Sequence, residues 1–261
     1  MKIRTIIEAL ETAAPLSLQE NYDNSGLQVG NPDADTDSAL ICVDVTEDVV
    51  QEALRLHAGL IISHHPPLFN PLRQISGDSY VERVVISAIR NNIAVYSCHT
   101  NLDAAPEGMS IALGRMLNLT DMIPLEPSRL MPGAGMGVIG RLGTDMPLMD
   151  FLGDVKRILG LKCIRYSRPN TSVIRNVALC TGAGASLMPQ AKLLGADLYL
   201  SSDFKYNNFL DADRELVIAD IGHFESEYCA INLIYEIIRK KITNFALYKS
   251  ESSLNPVNYL V

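Results

Sequence analysis

Only five histidines occur in the chain, and four of them fall in three short segments that also carry carboxylates. These are Ser63-His64-His65-Pro66-Pro67, His99-Thr100-Asn101-Leu102-Asp103 and Gly222-His223-Phe224-Glu225-Ser226-Glu227. Imidazole with carboxylate suits zinc, iron or manganese. Taken singly each segment has a plain alternative: a solvated histidine pair, a histidine bonded to a backbone carbonyl, and a first-turn glutamate facing a helix dipole. Three segments offering ligands of one kind favour a shared metal centre.

Adjacent side chains on a strand point to opposite faces. His64 and His65 therefore suit two ions, one on each side, or a bent backbone that the proline pair would stiffen. His223 and Glu227 stand four apart and share a face if helical, the histidine–carboxylate version of a known metal pair. Glu225 points elsewhere and reads as a first-turn acid. Asp103 or Glu227 is expected to bridge the ions. His99 is expected beside the ligands, orienting groups or shuttling a proton.

The five ligands His64, His65, Asp103, His223 and Glu227 exceed one tetrahedral site and fit two divalent ions with open positions for water. Water between two cations loses its proton near neutral pH, so the expected chemistry is hydrolysis. The alternative is a non-catalytic protein that handles metal or regulates a partner. A thiol enzyme built on Cys98 and His99 is disfavoured, because neighbours on a strand face apart. The loop Thr181-Gly182-Ala183-Gly184-Ala185-Ser186 could cradle a phosphate on its amides or be a tight turn. Gly135-Met136-Gly137 reads as a turn.

These residues need a scaffold. Apolar runs at 39–43, 59–62 and 93–98 read as buried strands, and 46–56 and 81–91 as the helices between them. Strand, helix, strand at this spacing implies βαβ units and a mostly parallel sheet, whose ligands collect at strand carboxyl ends. A second α/β pattern follows, with helices at 149–159 and 185–194 and strands at 173–179, 197–201 and 216–221. A long amphipathic helix is expected over 225–241, with Ile231, Ile234 and Ile238 on one face. Between the two patterns, residues 123–143 are rich in Pro, Gly and Met and read as a lobe boundary. The expectation is a two-lobed α/β protein with mostly parallel or mixed sheets and a dinuclear site in the cleft at the strand ends. Residues 1–125 plus 220–261 would form the metal-bearing lobe and 126–219 the second.

Composition narrows the function. The 261 residues are 48% apolar and 20% charged, which places the chain among ordinary globular proteins and not disordered ones. Its net charge of −8 repels phosphate backbones, which disfavours broad nucleic-acid binding. No apolar run suits a membrane span. Glu8 and Glu11 interrupt the apolar stretch a signal peptide would need, so a cytoplasmic location is expected. Five scattered cysteines without a CxxC pair read as reduced thiols.

At these segments the sequence resembles the YbgI-type dinuclear metal-centre proteins, the GTP cyclohydrolase I type 2 homologues. The likeness runs along the whole chain, through YDNSGLQVG from Tyr22, SHHPPLF from Ser63, HTNLDAAPEG from His99, GMGVIG from Gly135, TGAGAS from Thr181 and GHFESE from Gly222. It implies metal ligands at His64, His65, Asp103, His223 and Glu227, a two-lobed α/β fold and a ring-shaped homohexamer with metal sites facing an inner cavity. It also implies a purine nucleotide substrate, with hydrolytic opening of the GTP ring. Tyr22, Val138 and Asn207 depart from the family's usual Trp, Arg and His, and Asn207 bears on an extra acid/base or substrate group.

Overall fold

In a computed structural model, which describes residues 1–260, strands and helices alternate along nearly the whole chain. In chain order the helices are α1 Ile3–Ala13, α2 Glu47–Arg55, α3 Tyr80–Arg90, α4 Thr100–Asp103, α5 Met109–Met116, α6 Leu148–Ile158, α7 Met188–Leu193, α8 Tyr206–Asp211, α9 His223–Glu227 and α10 Cys229–Lys241. The strands are β1 Gly26–Val29, β2 Ser38–Cys42, β3 Leu60–Ser63, β4 Ala94–Ser97, β5 Thr120–Pro127, β6 Gly135–Pro147, β7 Arg165–Tyr166, β8 Val173–Leu179, β9 Leu198–Ser201, β10 Val217–Asp220 and β11 Ala246–Lys249. No helix among the described residues is long and apolar enough to cross a membrane.

The chain divides into two compact units, Met1–Leu102 with Ala230–Leu254, and Asp103–Cys229 with Asn255–Val261. In unit 1 the sheet order is β1-β4-β3-β2-β11. Strands β4, β3, β2 and β11 are parallel, and β1 is an antiparallel edge. The apolar runs that suggested strands are buried on both faces, as a parallel sheet requires. Helix α2 starts on Thr46, whose side chain accepts from the Val49 amide, and it buries Val49, Val50 and Ala53 in the core beneath the sheet. Burying each such valine stabilises the fold by roughly 1.5–3 kcal/mol.

Two buried carboxylates tie down loops of unit 1. Glu82 accepts from the Ser76, Gly77 and Asp78 amides and from the Ser76 and Ser79 hydroxyls. The Ser76 amide and the other donors push its pKa down to about 2. Glu52 accepts from the Ser250 hydroxyl at 2.5 Å and from the Glu251 and Ser252 amides at 2.9 and 3.0 Å. Burial works against the Glu52 charge, but these donors outweigh it and hold its pKa below the usual range.

In unit 2 the order is β5-β6-β8-β9-β10-β7. The inner strands β8, β9 and β10 are parallel, and the others pair antiparallel. The division differs from the lobes read in the sequence: residues 103–125 and 220–229 cluster with unit 2, because β5 pairs with β6 and β10 with β9. The segment read as a lobe boundary is itself sheet. Its glycines permit close backbone approach, for a Cβ on Gly135 would lie 2.3 Å from the Glu126 carbonyl oxygen. The long helix expected from residue 225 is two helices, with Tyr228 between α9 and α10.

Candidate metal centre

In unit 1 the parallel strands β2, β3 and β4 end on one edge, and Asp44, His64, His65 and His99 lie just past those ends. The backbone bends there. The His64 and His65 amides both donate to the Val43 carbonyl, at 3.1 and 2.9 Å. The buried hydroxyls of Ser63 and Ser97 bond each other at 2.8 Å, and the Ser63 hydroxyl also bonds the His65 carbonyl at 2.8 Å. The bend turns two neighbouring imidazoles to one side, with ring centroids 4.9 Å apart. His99 completes a cluster of three, 5.4 Å from each. One ring nitrogen from each of the three lies within 4.8 Å of the others, so the cluster could hold a metal ion.

Each ring is oriented through Nδ1. His64 Nδ1 lies 2.8 Å from the Cys98 carbonyl oxygen, His65 Nδ1 2.8 Å from Asp44 Oδ1, and His99 Nδ1 2.7 Å from Asp23 Oδ1. An oxygen at Nδ1 accepts a hydrogen bond from the ring N–H there and so leaves the lone pair on Nε2, the arrangement of histidines that bind metals. Asp23 is itself fixed. It accepts from the Ser25 hydroxyl and from the amide and hydroxyl of Thr100. Burial raises its pKa, but His99, Thr100 and Ser25 outweigh that and hold it well below the carboxylate range. Asn101 anchors the same segment by donating to the Ala14 carbonyl at 2.7 Å.

In unit 2 the parallel strands β8, β9 and β10 end together, and α9 begins directly after β10. Gly222 at φ 76° makes the turn between them. His223 and Glu227 share a face of α9, with His223 Nε2 3.1 Å from Glu227 Oε2. Two ligands of a tetrahedral zinc ion, each at about 2.0–2.1 Å, stand about 3.3 Å apart. His223 Nδ1 meets Asp203 Oδ2 at 2.6 Å, which repeats the pattern of unit 1. Gly182, at φ 63°, is required here: a Cβ on it would lie 2.1 Å from Glu227 Oε1 and 3.5 Å from His223 Nε2. Glu225 stays in the first turn of α9, folded back over Gly222.

Asp103 and Glu227 act on the same neighbours. Burial first, and then these two charges, push up the thiols of Cys180 and Cys229, the latter to about 12. A mostly buried carboxylate pair beside an oriented imidazole suits a cation, because buried negative charge is costly without one. The donor set of both units therefore fits divalent metal.

Of the two readings of the loop at Thr181, the tight turn is the one that its bonds support. The Gly182 amide donates to Ser226 Oγ at 3.0 Å and the Gly184 amide to Ser201 Oγ at 2.9 Å, so neither is available to cradle a phosphate. Cys98 is buried and its thiol is pushed up by that burial, which disfavours a nucleophile. Asn207 lies exposed on α8, Val138 is buried in β6, and Tyr22 meets Phe69 edge to face. The orienting carboxylates Asp23, Asp44 and Asp203 were not singled out from the sequence. Asp44 and Asp203 follow the carboxyl ends of β2 and β9, and Asp23 precedes the antiparallel β1, so the rule that located the histidines could have located them.

Comparison with known proteins places the fold. A model of the family described as Duf34/NIF3 (NGG1p interacting factor 3) matches residues 1–256. A Clostridium perfringens protein named GTP cyclohydrolase 1 type 2 homolog is 33% identical over the full length of both chains. NIF3-like protein 1 of Drosophila melanogaster is 32% identical over 98% of this chain and 88% of its own. The crystal structure of a Bacillus cereus protein related to NIF3 superposes with a TM-score of 0.93 at 25% identity, covering 100% of this chain and 99% of that one.

Proposed function

Because the chain belongs to the Duf34/NIF3 family, we propose that it holds two divalent cations on His64, His65, Asp103, His223 and Glu227 and hydrolyses a purine nucleotide, opening the imidazole ring of GTP. The observation that carries this reading is the common orientation of four imidazoles, each with Nδ1 on an oxygen. When bound, zinc, iron or manganese supplies Lewis acidity that polarises a substrate oxygen and makes water acidic enough to attack at neutral pH.

The chain's own residues hold and orient. Asp44 and Asp203 fix the rings of His65 and His223, and the Cys98 carbonyl fixes His64. His99, whose ring Asp23 orients, stands 5.4 Å in ring centroids from His64 and His65 and serves to carry a proton to or from substrate. Asp103 and Glu227 would hold the cations as carboxylate ligands. The name of the Clostridium perfringens relative supports the GTP assignment, and the same donor set would also serve phosphoester hydrolysis. The working assembly is a homohexamer, which light scattering in solution checks.

Protein loaded with zinc, manganese or iron should bind two ions per chain and turn over GTP, with turnover lost in His64→Ala and in Glu227→Ala. Two tightly bound ions without turnover of GTP or of any phosphoester would favour the metal-handling role instead. Less than one ion per folded chain at saturation would remove the metal centre itself.

A further inference from the structure

Unit 2 holds two buried hydroxyls that the metal centre does not use. Thr181 is 6% exposed and Ser202 fully buried, and neither side-chain oxygen has a hydrogen-bond partner among the described residues. A buried polar group without a partner is costly, and rare enough to need a reason. Valine and alanine would fill the same space without that cost.

Their position supplies the reason. Strands β8 and β9 are parallel with Leu179 opposite Leu200. Past the strand ends the Cys180 amide still donates to the Leu200 carbonyl, but the Ser202 amide donates to the carbonyl of Gly182 and not of Cys180, with both bonds at 3.0 Å, so the ladder shifts there. Ser202 therefore lies beside the Thr181-Gly182 turn, at the carboxyl ends of neighbouring parallel strands, where α/β sheets take their ligands. Each adjoins the metal centre along the chain. Thr181 precedes Gly182, which packs against Glu227 and His223, and Ser202 precedes Asp203, which holds His223.

The chemistry narrows the ligand. Neutral hydroxyls are weak metal ligands beside imidazole and carboxylate. A phosphate would need cations or uncommitted amides, but the Gly182 and Gly184 amides are engaged and Asp203 and Glu227 are acidic. Each hydroxyl can donate one hydrogen bond and accept two. A pair of them matches a carbonyl next to an N–H.

We propose that Thr181 and Ser202 are positioning residues that hydrogen-bond the neutral carbonyl and N–H edge of a heterocyclic base while its reacting carbon faces the metal centre. The assignment rests on the metal-centre reading for the reaction, but the contact itself can be measured by binding alone.

Zinc-loaded wild-type protein, Thr181→Val, Thr181→Ser and Ser202→Ala are titrated by calorimetry with guanosine, with 2-pyridone as a bare lactam, and with inorganic triphosphate. Loss of each hydroxyl should weaken guanosine and 2-pyridone about tenfold, leave triphosphate and zinc stoichiometry unchanged, and leave Tm equal or higher. Thr181→Ser should restore binding to within about twofold. If Thr181→Val fails to fold, Ser202→Ala carries the same test. Unchanged guanosine and 2-pyridone binding in the variants overturns the proposal, as does loss of zinc in them or the failure of both ligands to bind wild type at millimolar concentration. Hydroxyl-dependent binding of 2-pyridone without binding of guanosine would instead overturn the nucleotide assignment and leave the hydroxyl pair standing. Hydroxyl-dependent binding by wild type that holds fewer than two zinc ions would overturn the dinuclear reading alone.

Discussion

The two units prepare their ligands by different means. Unit 1 gathers three imidazoles, and one of the groups that orient them is itself fixed: Asp23, with a fully buried side chain, is gripped by Ser25 and Thr100. Unit 2 contributes one imidazole and the carboxylates, and its orienting Asp203 is 56% exposed. Burial pushes up thiols in both units, Cys42 and Cys98 in unit 1 and Cys180 and Cys229 in unit 2, but in unit 2 the charges of Asp103 and Glu227 add to it, whereas the carboxyl groups Asp23, Glu52 and Glu82 of unit 1 are held low by donors. Unit 1 is thus organised by neutral ligands on a stiff frame, and unit 2 by charge. The contrast can be broken at several points.

The largest effect is expected from Glu227→Ala. Removing a buried anionic ligand should take zinc from two ions per chain to fewer than one by elemental analysis, whereas His65→Ala leaves both carboxylates and His223 in place and should retain one ion. Equal losses in the two variants would refute the contrast. Next comes Gly182→Ala. The new methyl group must displace Glu227, so zinc affinity should fall about 10–100-fold in a competition assay with a chelating dye; unchanged affinity would mean that Glu227 is not a ligand.

A smaller effect separates the orienting carboxylates. Asp23→Asn should lower unfolding free energy by roughly 2 kcal/mol in urea, because it disturbs a buried, charge-assisted network. Asp203→Asn should change stability by less than about 0.5 kcal/mol, since its carboxylate is exposed. The smallest effect is on pH dependence. A carboxyl whose folded pKa is depressed stabilises the fold above its unfolded pKa of about 4.3, and that stability is lost as pH falls toward the folded value. For Glu82 the window runs down to about 2. Hydrogen exchange recorded between pH 5 and pH 2.5 should therefore rise in unit 1 before unit 2, and Glu82→Gln should flatten that trend around residues 76–82. A first rise in unit 2 would contradict the sign.

What could be read in the sequence follows the physics of each element. Runs such as ALICV at 39–43 are legible because a parallel strand buried on both faces must be apolar throughout. His223 and Glu227 were legible because helical spacing alone sets which side chains meet. Strands β5 and β6 were not, since their glycines and prolines resemble a linker until the close backbone approach at Gly135 is seen. Strand β11 is an exposed edge with no burial pattern to betray it. The bend at His64 and His65 is one of two readings that the sequence leaves open: the proline pair allows it, but the bonds to Val43 make it. Asp203 follows the carboxyl end of β9, but its role in holding His223 has no local spacing to signal it, for the two lie 20 residues apart.

The grip of Glu52 on Ser250, Glu251 and Ser252 reaches across about 200 residues of chain. It acts as a latch that couples the outermost strand β11 to the earliest βαβ unit, so that edge cannot fray by itself without stranding a charge. A protease cutting after Lys249 would meet a molecule that opens as a whole or not at all.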